Sequence, residues 1–297
     1  MTGGTGFVGS ALLEALIKRG DQSVVLTRSS KKSQTDSKVR YVSWNPEDER
    51  SIAKEIDGAD AVINLAGEPI IGKRWTQRQK QKILTSRVRA TQVIAHSVKQ
   101  AARKPKVLIN ASAIGYYGSR ENEILTEESG AGSGFLTDVC KAWEAHAVRV
   151  EDFNVRVVRM RTGIVLDPSG GALKLMLVPF RMGAGGWLGD GNQWMSWISR
   201  EDLVRLIVFC LDHPEARGVI NAVSPQPVTN KAFSLVLAQT LKRPCFAPVP
   251  AFILKLILGE MSEVLLGSQR VNPKKALELK FSFNHSEIRN ALETILR

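Results

Sequence analysis

Short, continuously apolar runs alternate with longer amphipathic stretches through the first half of the chain. Val24 to Thr27, Ala61 to Leu65, Lys106 to Asn110 and Val155 to Met160 are rich in β-branched and aliphatic residues. Each is bounded by turn or polar residues, the pattern of a strand. Between them, Ser10 to Arg19, Thr76 to Lys99 and Phe135 to Glu151 carry apolar residues at helical spacing. Strands without polar alternation are buried on both faces, and their alternation with helices predicts a parallel sheet with helices on either side. Right-handed crossovers then give a doubly wound fold. The expected class is therefore α/β, a Rossmann-like doubly wound parallel sheet.

The texture changes near Pro168. Gly170, Gly171, Gly183, Gly185, Gly186, Gly189 and Gly191 punctuate a stretch that also holds Trp187, Trp194 and Trp197. This reads as loops and short elements over a cleft, whose tryptophans offer apolar walls with polar edges. Asp202 to Leu211 then predicts a helix and Gly218 to Asn221 a strand. Phe233 to Leu241, Pro248 to Leu258 and Ser286 to Leu296 predict helices in the tail. No Pro/Ser-rich linker separates the halves. The expected division is residues 1–167 as a dinucleotide-binding domain and 168–297 as a small C-terminal substrate lobe interleaved with the core.

The chain has 297 residues, 43% of them hydrophobic, enough for one large core. No apolar stretch reaches the roughly 18 residues of a membrane span. Cys140, Cys210 and Cys245 are far apart, and four histidines are dispersed without ligand spacing. Neither a metal site nor a disulfide framework is expected, and the thiols read as free in a reducing compartment. The net charge of +12 is scattered rather than gathered into a stripe interleaved with aromatics, which argues against nucleic acid and leaves an anionic cofactor.

Candidate chemistry begins at the start of the chain. Thr2 to Ser10 contains Gly-x-x-Gly-x-x-Gly at Gly3, Gly6 and Gly9 and runs into an amphipathic stretch with Leu12, Leu13, Leu16 and Ile17 on one face. Gly3 can make the tight turn, Gly6 can admit a diphosphate, and Gly9 can let helix pack closely on sheet. The helix N-terminus then offers free N–H groups to the phosphates. Gly3, Thr5, Gly6, Phe7, Val8 and Gly9 are the expected diphosphate-binding set. At the next strand tip an acid would select NAD through the ribose 2′-hydroxyl. This chain has Thr27-Arg28-Ser29-Ser30-Lys31-Lys32 instead. An arginine fork among hydroxyls suits a 2′-phosphate, so the cofactor expected is NADP(H), with Thr27 and Arg28 reading it.

Further motifs carry a family resemblance. Asp60 to Ile70 followed by Lys73-Arg74-Trp75, then Ser86-Arg87, Ser112-Ala113-Ile114-Gly115-Tyr116-Tyr117-Gly118 and Trp143-Glu144 form one part of the pattern. Arg161 to Leu166, Trp197-Ile198 and Leu266 to Val271 form another. Together they resemble, over essentially the whole chain, the atypical extended short-chain dehydrogenase/reductases called epimerase family proteins. These are sugar-nucleotide-epimerase-like, with bacterial, animal and plastid members. The resemblance implies NADP(H) binding. It places Leu65, Ala66 and Gly67 on the strand end beside the adenosine and sends Arg87 to the cofactor phosphates. Arg161, at a strand tip, is in reach of the cofactor or an anionic substrate group.

The wider superfamily works through Ser, Tyr and Lys, with Tyr-x-x-x-Lys on one helix. There tyrosinate is the acid or base, Lys lowers its pKa and binds the nicotinamide ribose, and Ser holds the substrate oxygen. Ser112 fits the serine and Lys141 the lysine, but Thr137 stands four residues before Lys141. Tyr116 or Tyr117 supplies the phenol, or Glu144 or a substrate group replaces it, or the protein binds NADP(H) without turnover. Two functions follow. One is an NADP-dependent oxidoreductase or epimerase-like enzyme on an undefined small molecule, with Ser112, Lys141 and Tyr116 as catalytic residues. The other is an NADP(H)-binding regulator acting through a protein partner, in division or stress control. A homodimer is open as well.

Only Met1 and Thr2 precede Gly3, so the first, central strand is expected to be missing from this chain. Either upstream residues supply it or the chain folds with a vacancy; the expected location is the cytoplasm, or an organelle matrix or stroma if the upstream residues include a transit peptide.

Overall fold

The structure, a computed structural model, describes residues 1–28, 37–48 and 52–297. In chain order its strands are β1 (Ser23–Thr27), β2 (Val39–Ser43), β3 (Ala61–Asn64), β4 (Val107–Ala113), β5 (Ile124–Leu125), β6 (Arg156–Thr162), β7 (Ile164–Asp167), β8 (Trp194–Met195), β9 (Trp197–Ser199), β10 (Gly218–Ala222), β11 (Val228–Thr229) and β12 (Arg270–Val271). The helices that matter for the site are α1 (Phe7–Arg19), α2 (Ala53–Ile56), α3 (Gln77–Gln100), α4 (Phe135–Val148), α5 (Gly171–Arg181) and α6 (Arg200–Asp212).

The main sheet is parallel. β10, β6, β4 and β3 lie side by side in that order, and β1 pairs with β2. The two pieces meet at Thr2, which bridges Leu26 of β1 and Asn64 of β3, both in parallel sense. Thr2 N–H donates to the Ile63 carbonyl at 2.9 Å, Leu65 N–H to the Thr2 carbonyl at 3.3 Å, and Leu26 N–H to the Met1 carbonyl at 2.8 Å. Thr2 and the Met1 carbonyl thus make isolated bridges between β1 and β3, without forming a strand there. Strand order reverses at this point, and in a doubly wound sheet the reversal opens a crevice at the carboxyl ends of the strands.

The sheet is apolar on both sides, as its continuous runs require. Ile109, Val158 and Met160 face α1 and α6 through Leu12, Leu16, Leu206 and Ile207. Leu108 and Val157, one residue out of phase, face α3 and α4 through Ala90, Ile94, Val98 and Ala147. A third cluster fills the second half, where Leu173, Leu177 and Phe180 of α5 meet Trp197, Phe233 and Leu292. Several elements escaped the sequence pattern, among them most of the short strands. β2 was not predicted, and the glycine-rich stretch read as loops contains α5, whose apolar residues at i, i+4 and i+7 pack inward despite Pro179. Among the described residues no helix is long and apolar enough to cross a membrane.

Candidate active site

The chain leaves Thr2 straight into the glycine loop at the crevice. Gly3 has φ +68°, and a Cβ there would lie 2.6 Å from the Leu65 carbonyl oxygen. A Cβ on Gly9 would lie 2.1 Å from the Gly3 carbonyl oxygen, so only glycine lets α1 sit this close to the turn. Gly6 differs, since its face meets only the Gly3 oxygen and is exposed. Gly6 is also the N-cap of α1, with no side-chain cap and no acid in the first turn. The first N–H groups of the helix, with the positive end of its dipole, are therefore left for an outside acceptor. Thr5 is exposed beside them, and Phe7 and Val8 are half-buried. A diphosphate fits this cradle: it needs the anion-directed donors and the uncrowded backbone that Gly6 provides.

The neighbouring strand end is braced from beneath. Asn64 is fully buried, accepts from the Thr2 hydroxyl at 2.7 Å, and donates to Thr91 Oγ1 at 3.0 Å and Asn110 Oδ1 at 2.6 Å. Its Oδ1 also accepts from Ala66 N–H at 3.3 Å. This cluster fixes the path of Leu65-Ala66-Gly67 against the glycine loop. Asn64 and Asn110 were not singled out in the sequence. A polar residue closing each of two otherwise apolar strands was the available signal.

Arg87 reaches the same strand end from α3. It is 7% exposed, and its Nη1 donates to the Glu68 carbonyl at 3.0 Å and the Ile83 carbonyl at 2.9 Å. A Cβ on Gly67 would stand 3.0 Å from its guanidinium carbon, so the arginine lies against bare backbone there. Burial lowers its pKa from the ordinary arginine value, with the Cys140 and Glu68 charges opposing. At the far end of the crevice Arg28 is exposed and lines a cavity of about 590 Å³ with Ser43, Trp44, Asn45, Pro46 and Glu47. Thr27 is half-buried at the tip of β1. Ser29, Ser30, Lys31 and Lys32 lie outside the described residues.

A second polar cluster sits at the end of β4. Ser112, 4% exposed, donates its hydroxyl to Glu144 Oε1 at 2.6 Å. Glu144 also receives a fork from Arg161, Nε to Oε1 at 2.8 Å and Nη2 to Oε2 at 2.9 Å. Arg161 Nη1 donates to the Tyr117 hydroxyl at 3.0 Å, which donates to Asn221 Oδ1 at 2.7 Å. The guanidinium lies 3.3 Å from the centre of the Tyr116 ring. Burial works against the Arg161 charge, yet its bonds to Glu144 hold its pKa above the ordinary value. Burial also raises the Tyr117 phenol. Tyr116 is half-buried, and its hydroxyl makes no hydrogen bond among the described residues.

The sequence profile of the NAD dependent epimerase/dehydratase family matches residues 1–222. This chain belongs to that family. A second profile, a domain of unknown function, matches residues 249–295. An epimerase family protein of Staphylococcus haemolyticus is 42% identical over 100% of this chain and 98% of its own length. A chloroplastic epimerase family protein of Arabidopsis thaliana, a homolog of SDR39U1, is 40% identical over 100% of this chain and 86% of its own. Among solved structures, human epimerase family protein SDR39U1, crystallised with NADPH, superposes with a TM-score of 0.89 at 31% identity, covering 99% of this chain and 97% of that one. The Rossmann-like short-chain dehydrogenase/reductase architecture is thereby confirmed.

Within this epimerase family frame, α4 departs from the expected layout. Its inner face presents Thr137, Cys140 and Glu144 to the end of β4. Thr137 donates its hydroxyl to the Gly115 carbonyl at 3.0 Å, and Cys140 Sγ lies 3.6 Å from the Ala113 carbonyl. Burial and the Glu144 charge push the Cys140 thiol up to about 11, so it stays protonated. Lys141 is exposed and makes no hydrogen bond or ion pair among the described residues. The structure therefore brings Ser112, Tyr116 and Arg161 together around Glu144 and leaves Lys141 outside that group.

Proposed function

We propose that the chain binds NADP(H) in the crevice beside Thr2 and acts on a small molecule bearing a carbonyl or secondary alcohol, as an oxidoreductase or a nucleotide-sugar-epimerase-like enzyme. The uncapped N-terminus of α1 behind Gly3, Gly6 and Gly9 carries this reading. Gly3, Thr5, Gly6, Phe7, Val8 and Gly9 hold the diphosphate, Leu65, Ala66 and Gly67 flank the adenosine, and Arg28 with Thr27 receives the 2′-phosphate. The NADPH in the human relative's crystal supports the phosphorylated cofactor over NAD. A bound nicotinamide would supply the redox chemistry. On the protein side, Ser112 orients the substrate oxygen and Tyr116, whose hydroxyl is uncommitted, donates or accepts the proton. Arg161 fixes the Tyr116 ring from above its face and neutralises Glu144.

One observation favours a regulatory reading in which the cofactor is bound without turnover. The Ser112 proton is committed to Glu144, and Thr137 holds the place of a catalytic phenol. Calorimetric titration tests the shared premise. Micromolar NADPH affinity with much weaker NADH affinity supports the crevice assignment, and a screen of carbonyl and alcohol substrates then separates the two readings. Binding of neither cofactor would sink both.

A further inference from the structure

The superfamily's lysine projects from the helix that packs on the serine strand, and in this chain the inner face of that helix carries no cation. Cys140 occupies it, with its thiol against the Ala113 carbonyl and near Gly115, while Lys141 points to solvent. The cation that approaches this place comes from another helix. Arg87 leaves α3, lays its guanidinium 5.1 Å from the centre of the Trp143 ring on α4, and ends against Gly67. Its charge is felt at the Cys140 thiol.

Only Nη1 of Arg87 is used by the protein, on the Glu68 and Ile83 carbonyls. Nε and Nη2 meet no acceptor among the described residues, in a residue that is 7% exposed. Beneath it the indole N–H of Trp143, 5% exposed, is a buried donor with no partner. Buried donors are rarely left unpaired, because each forfeits a hydrogen bond to water. One such buried donor, with two uncommitted guanidinium nitrogens beside it and a glycine that keeps the backbone bare, calls for an oxygen-rich ligand. They point away from a role confined to the diphosphate cradle, whose donors are backbone N–H groups at the N-terminus of α1.

We propose that Arg87, and not Lys141, supplies the cation that holds the nicotinamide ribose, replacing from α3 the lysine that α4 lacks. This rests on the NADP(H) reading above. It assigns Arg87 to the nicotinamide half of the cofactor rather than to its phosphates. Arginine in this role keeps its charge at every working pH, and its planar fork suits paired ribose hydroxyls.

The test uses two ligands, NADPH and 2′,5′-ADP, which has the adenosine half with its 2′-phosphate but no nicotinamide ribose. Arg87→Ala is expected to weaken NADPH roughly tenfold to a hundredfold, the worth of a lost charge-assisted hydrogen bond, and to leave 2′,5′-ADP affinity unchanged. Arg87→Gln, which retains a donor for the two carbonyls, is expected to show the same split should the alanine variant fold poorly. Lys141→Ala is expected to change neither affinity. Equal weakening of both ligands would assign Arg87 to the phosphates or to the fold, and unchanged NADPH affinity would remove it from the site; either overturns the proposal. Should the unaltered chain bind 2′,5′-ADP and not NADPH, the nicotinamide half has no site here, and this inference falls while the adenosine assignment stands. Binding of neither ligand would instead sink the cofactor reading itself.

Discussion

The two polar regions at the strand ends solve opposite problems. Around Glu144 the protein pairs most of its own groups, with two oxygens of one carboxylate shared among Ser112, Arg161 and, at 3.5 Å, Arg159, whose buried Nε alone is left without a partner, and with Tyr117 and Asn221 closing the far side. Around Gly6 and Arg87 it leaves donors open, an uncapped helix end and two guanidinium nitrogens. Buried charge without a partner is costly, so the first region is built for internal order and its members are hard to remove singly. Unused donors are tolerated where a ligand completes them. The difference separates residues that hold the site's shape from residues that hold what enters it, which residue type alone cannot do: each region contains a buried arginine.

The sharpest break of that contrast is Glu144→Ala. It strands Arg161 in a site 3% exposed, and removing one partner of a buried pair costs about 3–5 kcal/mol. Urea unfolding should show that loss, and Arg161→Leu added to it should recover part of the stability by taking away the orphaned charge. A loss below about 1 kcal/mol would mean that the cluster is wet and its internal order is overstated.

The cradle should respond differently. Gly9→Ala drives a Cβ to 2.1 Å from the Gly3 carbonyl oxygen, and the overpacking is expected to cost about 1–3 kcal/mol and to abolish detectable NADPH binding as the loop shifts. Retained binding at full strength would show that the turn is not the diphosphate site. Arg28→Asp, at an exposed position, is expected to leave the melting temperature unchanged and to lower NADPH affinity at least tenfold, about 1.4 kcal/mol, while NADH affinity changes little. Parallel losses for both dinucleotides would remove the 2′-phosphate contact.

The same contrast explains what could be read from the sequence. The cradle was legible because its function is local: Gly3, Gly6 and Gly9, the helix after them and the strand ending at Thr27 are contiguous, and their spacing is dictated by the turn they make. The parallel strands were legible because burial on both faces forces continuous apolar runs. The Glu144–Arg161 pair was not, since its members are 17 residues apart on a helix and a strand, and only the packing of α4 on β4 and β6 joins them. Lys141 was read as a ribose ligand from its fit to the superfamily's lysine position, but one residue of helical rotation, about 100°, decides whether a position faces β4 or water. The inner face fell to Cys140. Helix α5 was hidden for a related reason, because the glycines around it signal loops while Leu173, Leu177 and Phe180 are held in place by tertiary packing.

The mildest test concerns Glu127, at the edge of the closed cluster. Its Oε1 accepts from Asn221 N–H at 3.0 Å and Lys275 N–H at 3.3 Å, whereas its buried Oε2 has no partner. Burial, opposed by those backbone bonds, raises its pKa above the ordinary 4.5. The folded state therefore binds a proton more readily than the unfolded chain, so stability contributed by this group is present below pH 4.5 and declines as pH rises through the folded pKa. Glu127→Gln keeps the accepting oxygen and removes the charge. At pH 7 the variant should be the more stable, by under about 1 kcal/mol because the carboxylate is only half-buried, and the two proteins should converge as pH falls below 4.5. Thermal melts across pH 3.5 to 7.5 would measure it. A variant less stable at pH 7 would mean that Glu127 is drawn into the closed cluster as a charge, held by the Lys275 ammonium rather than tolerated beside it, and the boundary between that cluster and its surroundings would move outward to include the helix Lys274–Glu278.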